Sequence, residues 1–288
     1  MISMRKKLIV LLILTGLLFC AGCSKSEPRT DSENVPTGSG IPTDSPSPEP
    51  TETPASTEAP VPTETPAPTE APFVLWDTSS IDLSGIDTSK KLIAFTFDDG
   101  PTVHYNTILD ILKEHGAHAT FFIWGSKYTK TYEDELKRVI AEGSELGNHS
   151  WSHKYLTQNT KDFVASDIEK TRSLLESITG ISQFLVRPPY GSSNSSVQSV
   201  IKVPLVNWSL DTGDWNKGSY ESVYNQLCKA KDGDIILMHA TYQFTVDAVR
   251  DALPYLISEG FQIVSVSELA AAKGKRLISG TAPLTQIR

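Results

Sequence analysis

Beyond Pro72 the chain alternates between short apolar runs and stretches with helical spacing, and that alternation leaves few folds open to it. Leu92–Phe97, Ala119–Ile123, Phe184–Val186, Val203–Val206, Asp234–Met238 and Phe261–Val266 read as strands, and Ser144–Gly147 as a short piece without an assigned type. Between them, Thr107–His115 and Glu133–Glu142 read as helices, and a polar helix start lies at Ser192–Ser196. The clearest helix carries Val164, Ile168, Thr171, Leu175 and Ile178 on one face, with Gly180 where a C-terminal cap belongs. Tyr220, Val223, Tyr224 and Leu227 mark a helix after Ser219, and Thr245–Glu259 another with a kink expected at Pro254. Ser267 opens a last short helix. Repeated strand-then-helix units over about 200 residues predict one α/β domain, either a parallel barrel or a doubly wound sheet. In a barrel, chemistry sits where strands end and loops begin.

The segment before Pro72 is of another kind. Arg5-Lys6-Lys7 followed by Leu8–Phe19 has the charged start and short apolar run of a secretory signal, covering residues 1–22. Cys20-Ala21-Gly22-Cys23 resembles a bacterial lipoprotein cleavage box, which implies lipidation of Cys23 and a domain anchored on the extracellular face of the membrane. The box departs from the usual form in having Cys20 where an aliphatic residue stands. An ordinary cleaved signal, giving a secreted protein, and an uncleaved anchor are the alternatives. Residues 23–72 hold this site and a Pro/Thr/Glu-rich linker in which Thr-Glu-Thr/Ala-Pro recurs at Thr51, Thr57, Thr63 and Thr69. Such a composition cannot bury enough surface to fold. At about 3.1 Å per residue of polyproline II it reads as a stalk, although a plain disordered tail has the same composition. The folded domain then spans 73–275, with a tail at 276–288.

The net charge of -8 divides into +3 at Arg5–Lys7, -7 over Ser24–Pro72 and -4 beyond, so the folded part is only mildly acidic. Nucleic acid is a poor partner for it, and no protein partner is implied. Cys228 is the one cysteine in that part, so no internal disulfide is expected and helix packing is its expected role.

Polar clusters follow the strands. Thr96-Phe97-Asp98-Asp99-Gly100-Pro101 ends the first strand in two acids, which can face one site only where the backbone leaves the sheet. Taken alone, this is equally a solvated turn. His149-Ser150-Trp151-Ser152-His153 places two imidazoles four apart, a spacing read as one face of a helical turn able to reach one ion. Either Asp98 or Asp99 can supply the third ligand of an open, catalytic type of site. Arg187-Pro188-Pro189-Tyr190-Gly191 is a stiff turn in which Arg187 can pair with a carboxylate and the Tyr190 N–H can face a site. Asp211-Thr212-Gly213-Asp214-Trp215 sets an acid beside a ring suited to stacking on a sugar, and Leu237-Met238-His239 ends a buried strand in a candidate acid. His104, His115 and His118 receive no role.

In this order the five clusters resemble the motifs of the polysaccharide deacetylases with NodB homology, carbohydrate esterase family 4, over roughly Lys91–Ala270. The resemblance implies a distorted (β/α) barrel of seven or eight parallel strands and a divalent metal, commonly zinc, with cobalt or another transition metal as alternatives. It implies that Asp99, His149 and His153 hold the metal. Asp98 would be the general base, oriented by Arg187; the Tyr190 N–H would bind the oxyanion. His239, tuned by Asp214, would be the general acid, with Trp215 and Leu237 lining the acetyl pocket. Ala240 stands where many relatives have Asp. The activity implied is hydrolysis of the linear amide of an N-acetylated glycan, peptidoglycan first given the tether. Acetyl-xylan or chitin could serve the same site. A non-catalytic wall-binding protein would have lost one of Asp98, Asp99, His149, His153 or His239, and none is missing.

Overall fold

The apolar run that ends in two acids becomes β2 (Lys91–Gly100), in which Leu92–Asp98 are all buried. A strand buried on both faces belongs in a parallel sheet covered by helices. The computed structural model describes residues 75–288. Within it β3 (Thr120–Ile123), β4 (Glu145–Asn148), β5 (Leu210–Asp211), β6 (Ile235–His239) and β7 (Phe261–Val264) stand around β2. All pair in parallel, in the order β4-β3-β2-β6-β5. β2 is long enough to serve three neighbours: β7 along Lys91–Ala94, β3 along Thr96–Gly100 and β6 along Ala94–Asp98.

Extended chain at Phe184–Val186 and Val203–Val206 continues this sheet only through single parallel bridges, Asn148 to Val186 and Val186 to Leu205. Pro188, Pro189 and Pro204 deprive these segments of N–H donors, so no full ladder can form there. The ring still closes. Val206 donates to the Val186 carbonyl at 2.9 Å, and Ser209 to that of Ile235 at 3.0 Å, returning the circuit to β6. Counting the bridged segments, this is the distorted parallel barrel that the family resemblance implies, one of the two folds the strand-helix alternation leaves open.

Between the strands run α1 (Tyr105–Glu114), α2 (Glu133–Ala141), α3 (Lys161–Thr179), α4 (Ser195–Val200), α5 (Tyr220–Leu227), α6 (Gln243–Ser258) and α7 (Val266–Ala272). α3 ends where expected, on Gly180 in the left-handed region at φ 75°. α7 opens on a Ser265–Glu268 capping box rather than at Ser267, and β7 correspondingly stops at Val264. α6 includes Pro254 and continues through it. Cys228 caps α5 and is partly buried.

The pleat of β2 sorts its side chains between two cores. Ile93, Phe95 and Phe97 pack with Ile108, Leu109, Val249 and Leu253 of α1 and α6. Leu92 and Ala94 point the other way, among Phe122, Leu185, Val206, Ile235 and Val264 in the barrel interior. Thr96 and Asp98 continue that inward row.

Residues 276–288, set apart from the sequence as a tail, return along the domain. β1 (Leu75–Trp76) and β8 (Leu277–Ile278) pair antiparallel. Leu284 donates to the Leu205 carbonyl at 2.8 Å and Ile287 to that of Gly233 at 2.9 Å, with Ile287 buried. Among the described residues no helix is long and apolar enough to cross a membrane. The signal segment, Cys23 and the repeats at Thr51–Thr69 lie outside the described residues.

Candidate active site

β2 delivers two adjacent carboxylates to one place by breaking its own pleat. The register against β3 shifts between Phe97 and Gly100, and Asp99 takes φ 66°. This left-handed turn swings Asp99 round to the side that Asp98 already faces. Lys127 braces the turn, donating from Nζ to the Asp99 carbonyl at 3.2 Å.

His149 and His153 do not share a helical turn. They stand in the loop after β4, where Ser150 and His153 both have positive φ, 63° and 55°. Short polar side chains hold this shape: Ser150 N–H donates to Asn148 Oδ1 at 2.9 Å, and His153 N–H to Ser150 Oγ at 3.1 Å. The two imidazole centroids lie 5.0 Å apart. His149 Nδ1 sits 2.7 Å from the Arg187 carbonyl, an acceptor only, so that nitrogen carries the proton and Nε2 keeps a free lone pair. Burial pushes the His149 pKa down, favouring the neutral form that a ligand needs.

Asp99 Oδ1 lies 3.0 Å from His153 Nε2 and 3.6 Å from His149 Nε2. It is buried and has no partner in hydrogen-bonding geometry. Three donor atoms, two of them imidazole nitrogens, lie within 4.8 Å of one another. Ligands about 2.1 Å from a tetrahedral ion stand roughly 3.4 Å apart, so Asp99, His149 and His153 fit a divalent cation. Burial alone would raise the Asp99 carboxyl. The His153 contact and the nearby imidazoles of His149 and His239 outweigh it and hold the group well below the usual carboxylate range.

Asp98 stays out of that set. Its Oδ1 accepts from Arg187 Nη1 at 2.8 Å, and its Oδ2 is 3.7 Å from His149 Nε2. Arg187 is fully buried and spends its other donors on Thr96 Oγ1 at 2.6 Å, the Asn207 carbonyl at 2.8 Å and the Val206 carbonyl at 3.3 Å. Its plane lies over the Phe122 ring at 4.2 Å. Burial lowers the Arg187 pKa, opposed by Asp98. Tyr190, in the turn that follows, has φ 60° and places its hydroxyl 3.2 Å from His153 Nδ1.

At the end of β6, level with Asp98 on β2, Asp214 clamps His239. Its Oδ1 is 2.8 Å from His239 Nδ1, while Oδ2 accepts from the His239 N–H at 2.6 Å and from Thr245 Oγ1 at 3.0 Å. This fixes the proton on Nδ1 and leaves Nε2 to the cavity. Burial lowers the His239 pKa, but Asp214, helped by Asp98 and Asp99, raises it above its ordinary value.

Asp98, Asp99, His149, His153, Tyr190 and His239 line one cavity of about 380 Å³, together with Leu237, Trp215, Asp211, Tyr155 and Trp208. Every site residue named from the sequence within the folded domain meets there or touches a residue that does. Trp124 escaped that reading; it stacks on His153 at 4.4 Å. Tyr155 and Trp208 escaped it too, though Trp124 and Trp208 mark themselves as aromatics beside strand ends.

Residues 85–204 match the family model described as polysaccharide deacetylase. A peptidoglycan-N-acetylglucosamine deacetylase of Bacillus cereus is 35% identical over 198 residues, covering 65% of this chain and 92% of that protein. The chain belongs to the polysaccharide deacetylase family. Another polysaccharide deacetylase, the peptidoglycan-N-acetylmuramic acid deacetylase PdaC of Bacillus subtilis, is 39% identical over 193 residues. That match covers 66% of this chain, which spans only about two fifths, 41%, of PdaC. The solved structure of PdaC superposes with a TM-score of 0.63, covering 66% of this chain and 94% of the solved one.

Proposed function

We propose that this polysaccharide deacetylase removes N-acetyl groups from a cell-wall glycan, peptidoglycan N-acetylglucosamine before chitin or acetyl-xylan. The observation that carries the reading is the placement of Asp98. It stands beside the three converging donors of Asp99, His149 and His153 yet is tied to Arg187, and its register partner on β6 is His239, which Asp214 holds in the same cavity.

Asp99, His149 and His153 would hold the ion, zinc by the chemistry of a two-imidazole, one-carboxylate set, with cobalt or another transition metal as alternatives. Bound there it would polarise the acetyl carbonyl and acidify a water molecule. Asp98 is placed to take a proton from an attacking water, and Arg187 keeps its carboxylate turned towards the cavity. The Tyr190 N–H steadies the tetrahedral oxyanion, a contact worth roughly 3 kcal/mol. An amine leaves only when protonated, and His239 supplies that proton from Nε2 with Asp214 fixing its ring. Leu237 and Trp215 wall the acetyl group. The products are acetate and a glycan bearing a free amine.

The relatives named as peptidoglycan deacetylases support the wall as substrate. Signal residues 1–22, lipidation at Cys23 and the linker to residue 72 would hold the domain at the outer face of the membrane, within reach of that wall. Acetate release from peptidoglycan, chitin oligomers and acetyl-xylan, with and without a chelator, tests the reaction; release from none of them would refute it. Fatty-acid labelling that vanishes in Cys23→Ala tests the anchor.

A further inference from the structure

Among the described residues only four aromatic side chains are more than a third exposed, Tyr155, Tyr190, Trp215 and Tyr255, and the first three line the same cavity. Exposed rings gathered in one cleft are a binding feature, not a scatter of surface residues. Tyr155 and Tyr190 are stacked, with centroids 4.0 Å apart and planes within 17°. They form a double-ring platform on the His153 side, while Trp215 stands on the side of Asp214 and His239.

The platform is built, not incidental. Leu156, next to Tyr155, is fully buried in the core beneath α3 and α4. Asn159 Nδ2 and the Gln158 N–H both donate to the Tyr155 carbonyl, at 2.8 and 3.1 Å. Thr157 Oγ1 meets Ser192 Oγ at 2.8 Å, tying the loop of Tyr155 to the loop of Tyr190. Both backbones are therefore fixed while both rings stay open to solvent.

We infer that Tyr155 forms a subsite for a second sugar ring of the glycan, next to the ring whose acetyl group enters the cavity. The apolar C–H face of a pyranose suits a flat phenol ring, and a platform continuous with the reaction centre through Tyr190 and His153 catches the neighbouring unit of a chain. The inference rests on the deacetylase reading for its choice of ligand and makes the protein a reader of chains rather than of single sugars.

Calorimetric titration of N-acetylglucosamine oligomers of increasing length into full-length Asp98→Asn, which removes turnover, tests this through binding alone. Affinity is expected to rise about tenfold when the chain becomes long enough to reach Tyr155. That step is expected to vanish in Asp98→Asn/Tyr155→Ala and to survive in Asp98→Asn/Tyr155→Phe. A step that persists without the ring, no step in the parent, or an equal loss at every length would overturn the subsite. Acetate release by the unaltered protein from the same oligomers tests the deacetylase reading separately, so either can fail alone.

Discussion

Arg187 Nη1 and Asp98 Oδ1 meet at 2.8 Å with both side chains out of water, the arginine fully buried and the aspartate 3% exposed. A buried pair is held by the cost of breaking it: either charge left alone in the interior is destabilising by about 3–5 kcal/mol. Arg187→Met is therefore expected to lower unfolding free energy by that order and to abolish acetate release. Chemical denaturation with the activity assay reads both.

Asp98→Asn keeps the shape of the side chain and its contact with Arg187 but cannot take a proton. Turnover is expected to fall by about 10²–10⁴-fold while cation binding is retained. Release of acetate at the unaltered rate would move the base elsewhere.

Asp99→Ala removes the buried oxygen towards which His149 and His153 converge. Two imidazoles alone make a weak site, so stoichiometric zinc or cobalt binding, followed by calorimetry or metal analysis after dialysis, is expected to be lost. The fold should persist, since Asp99 is only partly buried and stands at the end of β2.

His239 is raised above its ordinary value of 6.5 by Asp214, against the effect of burial. As the proposed proton donor it must be charged, so activity is expected to fall as pH climbs through its folded pKa. Asp214→Asn should move that alkaline limb to lower pH, a shift read from the pH dependence of kcat. A cation at Asp99 offsets the help from that side and leaves Asp214 in charge. The stability sign agrees: a pKa raised on folding stabilises fully below the unfolded value near 6.5 and ceases to do so as pH rises past the folded one.

Ile287 is 1% exposed at the end of the returning C-terminal segment. Ile287→Ala is expected to cost about 2–4 kcal/mol in denaturant unfolding, as for any well-packed core aliphatic. No effect would mean that the segment is ornamental.

A parallel α/β domain was legible because buried parallel strands are apolar on both faces and so leave unbroken runs, as in Leu92–Phe97 and Asp234–Met238, but only the family resemblance chose the barrel over a doubly wound sheet. Phe184–Val186 looks no different in sequence; what reduces it to a bridge is the prolines after it and in its neighbour. Residue identities at the site were legible, but their backbone was not. The spacing of His149 and His153 suggests a helix, whereas Asn148 and Ser150 fold the loop into left-handed turns that tertiary contacts then fix. The stacking of Tyr155 on Tyr190 joins two loops far apart in the chain, and no local pattern announces such a contact. Leu284 and Ile287 sit in a stretch too short for any periodicity, so their return to the barrel showed only in three dimensions.

The left-handed residue at the end of β2 has a consequence for precision. Asp98 and Asp99, the proposed proton acceptor and the proposed cation ligand, are neighbours along a single stretch of main chain, joined by one rigid amide plane. What orients the two carboxylates across that plane is the turn at Asp99 together with the Arg187 and Lys127 contacts, so their spacing depends on a short local stretch and its braces rather than on distant loops.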